Sequence, residues 1–235
     1  MKTIGILGGM SWESSLLYYK WINEGVRQRL GGLHSARMVL HSVDFHPVEA
    51  AMCAGDWQTV ESHLVQGALS VQAGGADFLV IATNTMHKLA ENVSRAVDIP
   101  LLHIADATAA HARKIGLHTV GLLGTAFTME HDFYKGRLTD RHGLNVLVPS
   151  QADRTLVHEI IFRELCQGCV LPGSRDAYLR VIGHMAAQGA QAIILGCTEI
   201  CMLLEGCIPP LPLLDTTRLH VEAALDMALG PAPAV

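Results

Sequence analysis

Short, dense apolar runs alternate along this chain with longer stretches of helical spacing, and glycines or polar turns separate the two. Ile4–Leu7, Met38–Val43, Phe78–Ala82, Leu101–Ile104, Thr119–Leu123, Asn145–Pro149 and Ile193–Leu195 are the apolar runs. They are too short for amphipathic helices and too continuous for half-exposed strands, so they predict strands of a parallel sheet covered on both faces. Between them the pattern predicts helices over about Trp12–Leu30, Trp57–Ala73 with Asp56 as cap, Thr83–Ala96 and Met129–Thr139. Further helices are predicted over Arg154–Gln167, Arg175–Gln188, the stretch after Cys197, and His220–Leu229. Pro209-Pro210-Leu211-Pro212 reads as a connection or a short edge strand, because a helix interior would not tolerate it. Pro231–Val235 is a tail.

The plan occurs twice. Residues 75–85 lie over residues 189–199 without a gap, which puts Thr83 on Cys197. Thr3–Gly8 likewise lies over Thr119–Gly124, and Ile99-Pro100 through Thr108 over Ile208-Pro209 through Thr217. Three ordered matches at similar offsets predict an α/β protein of two pseudo-symmetric domains, each a mostly parallel sheet flanked by helices. The expected division is 1–98 plus 214–230, carrying a Thr83 elbow, against 99–213, carrying a Cys197 elbow.

Composition narrows the partners. The 235 residues are half hydrophobic and carry a net charge of −5. No Lys/Arg-rich run is present, which argues against nucleic acid or an anionic membrane and leaves a small molecule as the expected ligand. Met1-Lys2 leads directly into the first strand, and no apolar run approaches the length that spans a bilayer. A cytoplasmic protein with its six cysteines reduced is expected.

Cys197 is the residue placed for chemistry. It follows the run Ala192–Leu195 and Gly196, at the carboxyl end of a strand and the start of a helix. Open α/β sheets bind ligands at that edge, and the helix dipole is expected to favour the thiolate. Gly8-Gly9-Met10-Ser11 forms the matching loop after the first strand; its spacing is not G-x-G-x-x-G, and it suits backbone amides that approach a carboxylate. Asn84, Thr85 and Thr198 add uncharged donors at the elbows. Cys166-Gln167-Gly168-Cys169 stands without a second ligand pair, and the thirteen histidines contain no H-E-x-x-H, so no metal is expected. His41/His46 and His103/His111 are read as solvated or hydrogen-bonded, and Cys201 as core.

The elbow Thr83-Asn84-Thr85-Met86-His87-Lys88, the elbow Gly196-Cys197-Thr198-Glu199 and the opening Gly8-Gly9-Met10-Ser11-Trp12-Glu13-Ser14 together resemble the aspartate/glutamate racemase family, over almost the whole chain. The likeness is to the branch of L-aspartate/glutamate-specific racemases, whose first elbow also carries threonine. The resemblance implies a cofactor-independent racemase, with its active site in the cleft between two domains, acting on a dicarboxylic amino acid, and a homodimer. Typical members carry a cysteine at both elbows; here Thr83 replaces the first. Cys197 is then the base or acid on one face of the α-carbon and Thr83 the proton donor on the other, since an aliphatic hydroxyl is too weak an acid to mirror a thiol. Substrate contacts are expected from Met10, Ser11, Met52, Asn84, Thr85, Thr125, Thr198 and Glu199. The stretch Pro47–Asp56 has no Arg or Lys for a side-chain carboxylate, leaving Lys88 or Arg163 as substitutes. A single-cysteine decarboxylase of the arylmalonate type, and a non-catalytic amino-acid-binding protein, are the alternatives.

Overall fold

In a computed structural model, which describes residues 1–230, every position of β1 (Ile4–Gly8) is buried, as a strand covered on both faces requires. The chain divides into two compact units: Met1–Ile104 with the segment from His220 onward, and Ala105–Leu219. The expected tail at 231–235 lies outside the described residues.

The first unit runs β1, α1 (Trp12–Leu30), β2 (Met38–Ser42), α2 (Phe45–Cys53), α3 (Trp57–Ala73), β3 (Phe78–Ile81), a 3-10 turn (Thr85–Leu89), α4 (Ala90–Ala96), β4 (Leu101–Leu102) and the start of α5 (Ile104–Lys114). Its four strands are all parallel, in the order β2-β1-β3-β4. The second unit contains β5 (Thr119–Gly124), α6 (Ala126–Glu130), α7 (Asp132–Gly136), a π turn (Arg137–Arg141), β6 (Asn145–Leu147) and α8 (Gln151–Arg163). A 3-10 turn (Leu165–Gln167), α9 (Pro172–Ala187), β7 (Ala192–Gly196), α10 (Thr198–Leu203), β8 (Leu213–Asp215) and the start of α11 (Thr216–Leu229) complete it. Its order, β6-β5-β7-β8, again all parallel, repeats the first. The two parallel sheets flanked by helices are the α/β architecture that the apolar runs predict.

The junctions fall about six residues beyond those drawn from the sequence. β4 pairs with β3 and β8 with β7, so each short strand stays with the sheet before it. Within the first unit α11 returns to pack on α1 and the sheet: Val221, Ala224 and Leu225 share a core with Ile4, Tyr18, Ile22, Phe78 and Val80. Several helices differ from expectation. Thr83–Ala96 is not one helix, because Thr83 and Asn84 stand outside it and a 3-10 turn precedes α4. Met129–Thr139 is broken into α6, α7 and the π turn, and helix α2, unpredicted, starts at the cap Asp44, whose side chain accepts from the His46 amide.

Candidate active site

In each unit the chain leaves the first strand to one side of the sheet and returns to the other, so the carboxyl ends of β1 and β3, and of β5 and β7, are topological switch points. Ligands of open α/β sheets bind at such points. The first unit places Met10, Ser11, Thr83, Asn84 and Thr85 there, and the second places Thr125, Cys197, Thr198 and Glu199.

Hydrogen bonds from small side chains build the first edge. Ser11 caps α1 by accepting the Ser14 amide at 3.3 Å. Ser15 Oγ accepts the Gly9 amide at 2.7 Å and donates to the Ser11 carbonyl at 3.1 Å. Ser14 Oγ donates to the Ala82 carbonyl at 2.9 Å, fastening α1 beside the end of β3. Gly9 has φ +90°, and a Cβ there would stand 2.4 Å from the Val43 carbonyl oxygen, so the residue at this bend has to be glycine. Met10, Asn84 and Thr85 are buried and Thr83 is half-buried. Met52 is not at the strand ends; it lies near the end of α2 with 3% of its surface exposed.

The second edge is tighter. Gly124 lies opposite Gly196, and a Cβ on Gly196 would come within 3.0 Å of the Leu123 carbonyl oxygen. Thr125 caps α6 and is buried. Cys197 Sγ donates to Glu199 Oε2 at 2.9 Å, and Thr198 Oγ1 donates to the same oxygen at 2.7 Å. The expectation of a thiolate is overturned. Burial pushes the Cys197 thiol well above its ordinary pKa, and the adjacent Glu199 carboxylate, with a smaller contribution from Cys166, pushes it further. The dipole of a six-residue α10 does not offset the loss of solvent around the sulfur. The Cys197 thiol thus points its hydrogen at the Glu199 carboxylate.

Other candidates fall elsewhere. Lys88 Nζ lies 3.8 Å from the centre of the Trp57 ring, and burial lowers its pKa. Arg163 pairs with Glu159 at 3.5 Å with 76% of its side chain exposed, an ordinary solvated helix face. Cys166 is exposed on the 3-10 turn after α8 and Cys169 is exposed just beyond it, while Cys201 is half-buried. Among the described residues no His/Cys/Asp/Glu group could hold a metal ion, and no helix is long and apolar enough to cross a membrane. Ser14, Ser15 and His87 carry no signal of their bonds in the sequence; the two serines at the start of α1 are legible there only as part of a helix.

The family description Asp/Glu/Hydantoin racemase matches residues 7–224. The chain belongs to that family. The crystal structure of a Yersinia pestis protein assigned as an Asp/Glu racemase superposes with a TM-score of 0.92 at 51% identity, covering 97% of this chain and 100% of that one. An aspartate racemase homologue from Pyrococcus horikoshii OT3 gives 0.83 at 30% identity over 97% and 99%. The broad specificity amino-acid racemase RacX of Bacillus subtilis (strain 168) is 24% identical over 178 residues, 74% of this chain and 75% of that protein. Racemases being isomerases, membership of this family implies an isomerase acting on a small molecule.

Proposed function

We propose that the protein is a cofactor-independent racemase of aspartate or glutamate in which Cys197 exchanges the α-proton on one face and Thr83 supplies a proton to the other. The observation that carries the reading is the buried Cys197 thiol donating to Glu199 at a switch-point edge. With substrate bound, the thiol proton moves to Glu199 and the sulfur then takes the α-proton of the L-enantiomer. The electron pair left on carbon spreads into the α-carboxylate, where the uncharged donors Asn84, Thr85 and Thr198 stabilise the developing charge. Thr83 Oγ donates its proton to the opposite face as water reprotonates the oxygen, and Glu199 returns its proton to solvent.

Cys197→Ala separates enzyme from binder: turnover should fall by about two to four orders of magnitude while calorimetric affinity for the amino acid persists. Wild-type protein that binds the amino acid without turning it over would end the catalytic reading. In heavy water the L-substrate should take up deuterium with inversion, whereas a disubstituted malonate converted to one enantiomer would replace racemisation with decarboxylation. A wider amino-acid range is the second reading. It is favoured by the absence of Arg and Lys from Pro47–Asp56 and by the solvated position of Arg163, and RacX is named for broad specificity. Deuterium uptake across a panel of L-amino acids distinguishes the two. The same proposal includes a homodimer, to be checked by sedimentation velocity, and a cytoplasmic location, to be checked by cell fractionation.

A further inference from the structure

We infer that His87 is a positioning residue for Thr83, acting through the Thr83 carbonyl. The inference rests on the reading of Thr83 as the proton donor. In an α-helix the Thr83 carbonyl would accept the amide four residues on, that of His87. The elbow is a 3-10 turn instead, and the His87 amide bonds the Asn84 carbonyl at 3.1 Å. The His87 ring occupies the place of that amide, with Nδ1 2.8 Å from the Thr83 carbonyl oxygen.

The opposite side of the ring fixes which nitrogen carries the proton. The Ile104 amide donates to His87 Nε2 at 3.2 Å, and an amide can only donate, so Nε2 is the acceptor. Nδ1 then bears the hydrogen and donates to Thr83. The ring is 2% exposed, with the His103 ring centroid 4.5 Å away and that of His220 5.9 Å away, so it has little room to turn. A single neutral imidazole thus holds the Thr83 peptide in one orientation and anchors it to Ile104, where the chain leaves the first unit. A shift of the peptide moves the Thr83 hydroxyl with it, and proton transfer to carbon is sensitive to displacements of about 1 Å, worth on the order of a hundredfold in rate.

Two substitutions divide the ring's functions. In His87→Asn the side-chain amide reaches the position of Nδ1 and can still donate to Thr83; in His87→Gln it reaches the position of Nε2 and can serve only Ile104. Each variant is incubated with L-aspartate and with L-glutamate in heavy water, and the ratio of inverted product to substrate deuterated with retention is read by chiral chromatography and mass spectrometry. A smaller fraction of folded protein lowers both products alike and leaves the ratio unchanged. The ratio should fall about ten- to a hundredfold in His87→Gln and stay near wild type in His87→Asn. Equal ratios in the two variants overturn the inference. Thr83→Ala is the control: loss of inversion with exchange kept upholds Thr83 as donor, so failure of the His87 pair then falls on His87 alone. Unchanged inversion in Thr83→Ala removes both readings. Should the variants not fold, nitrogen-15 spectra of the wild-type protein decide, with an Nδ1–H tautomer at His87 expected and an Nε2–H tautomer or an imidazolium overturning the assignment.

Discussion

At the scale of the residue, the protonation of Cys197 is set by what surrounds the sulfur, not by where it sits on the strand. Its raised pKa predicts slow alkylation by iodoacetamide near neutrality, with a rate that climbs as pH rises beyond 9. Glu199→Gln removes the negative charge that holds the proton on sulfur. Alkylation should then begin at lower pH, while racemisation falls about a hundredfold, because in the proposed mechanism that carboxylate receives the thiol proton. Opposite signs in the two assays distinguish this arrangement from general damage to the site. The position of Cys197 was legible in the sequence, because an apolar run that ends in Gly196 can only deliver the next residue to the strand's carboxyl edge. Its ionisation was not legible: burial and the direction of the Glu199 side chain come from tertiary packing. His87 was opaque for the same reason, since a histidine at the start of a helical pattern gives no sign of which carbonyl its ring will reach.

At the scale of the element, the strands were read well and the helix starts less so. Apolar runs such as Ile193–Leu195 have few ways to be buried, whereas Thr83–Ala96 has the composition of one helix and opens as a 3-10 turn in which the His87 ring, not its amide, meets the Thr83 carbonyl. Helix α2 was missed because Pro47 looks like a break; it lies in the first turn, where no amide is needed. The π turn after α7 is held by Arg137, which makes two bonds of 2.6 Å to Asp106, and by His142 at 2.8 Å. Burial pushes the Asp106 carboxyl up, but these partners outweigh it and leave its pKa lowered. A carboxyl lowered on folding adds stability above its unfolded pKa of about 4, and loses it as pH drops through the folded value. Asp106→Asn should therefore cost about 1–2 kcal/mol at pH 7, allowing for solvent screening, and progressively less as pH falls below about 4, as read from urea unfolding. Gly9→Ala forces a side chain against the Val43 backbone at positive φ; a loss of about 2–3 kcal/mol is expected in the same measurement.

At the scale of the whole molecule, the first unit takes in both β1, near the start of the chain, and the greater part of α11, its last described element. Helix α11 covers the first sheet, and Leu225 is fully buried beside α1, where a Cβ on Gly25 would come within 2.3 Å of it. Leu225→Ala should cost about 2–5 kcal/mol, with hydrogen exchange accelerating in β1 and β3 more than in β5 and β7. The duplication was legible because sequence matches survive at both strand-to-helix bends; the exact junctions were not, since two- and three-residue strands such as β4 and β8 carry almost no pattern of their own. The shared strand order makes the two bends comparable position by position. A threonine at the position that aligns with a cysteine leaves the two bends alike in backbone and different in acidity, an alcohol oxygen in the first unit against a thiol sulfur in the second. Thr83→Cys then gives both halves of the protein the same side chain at that bend.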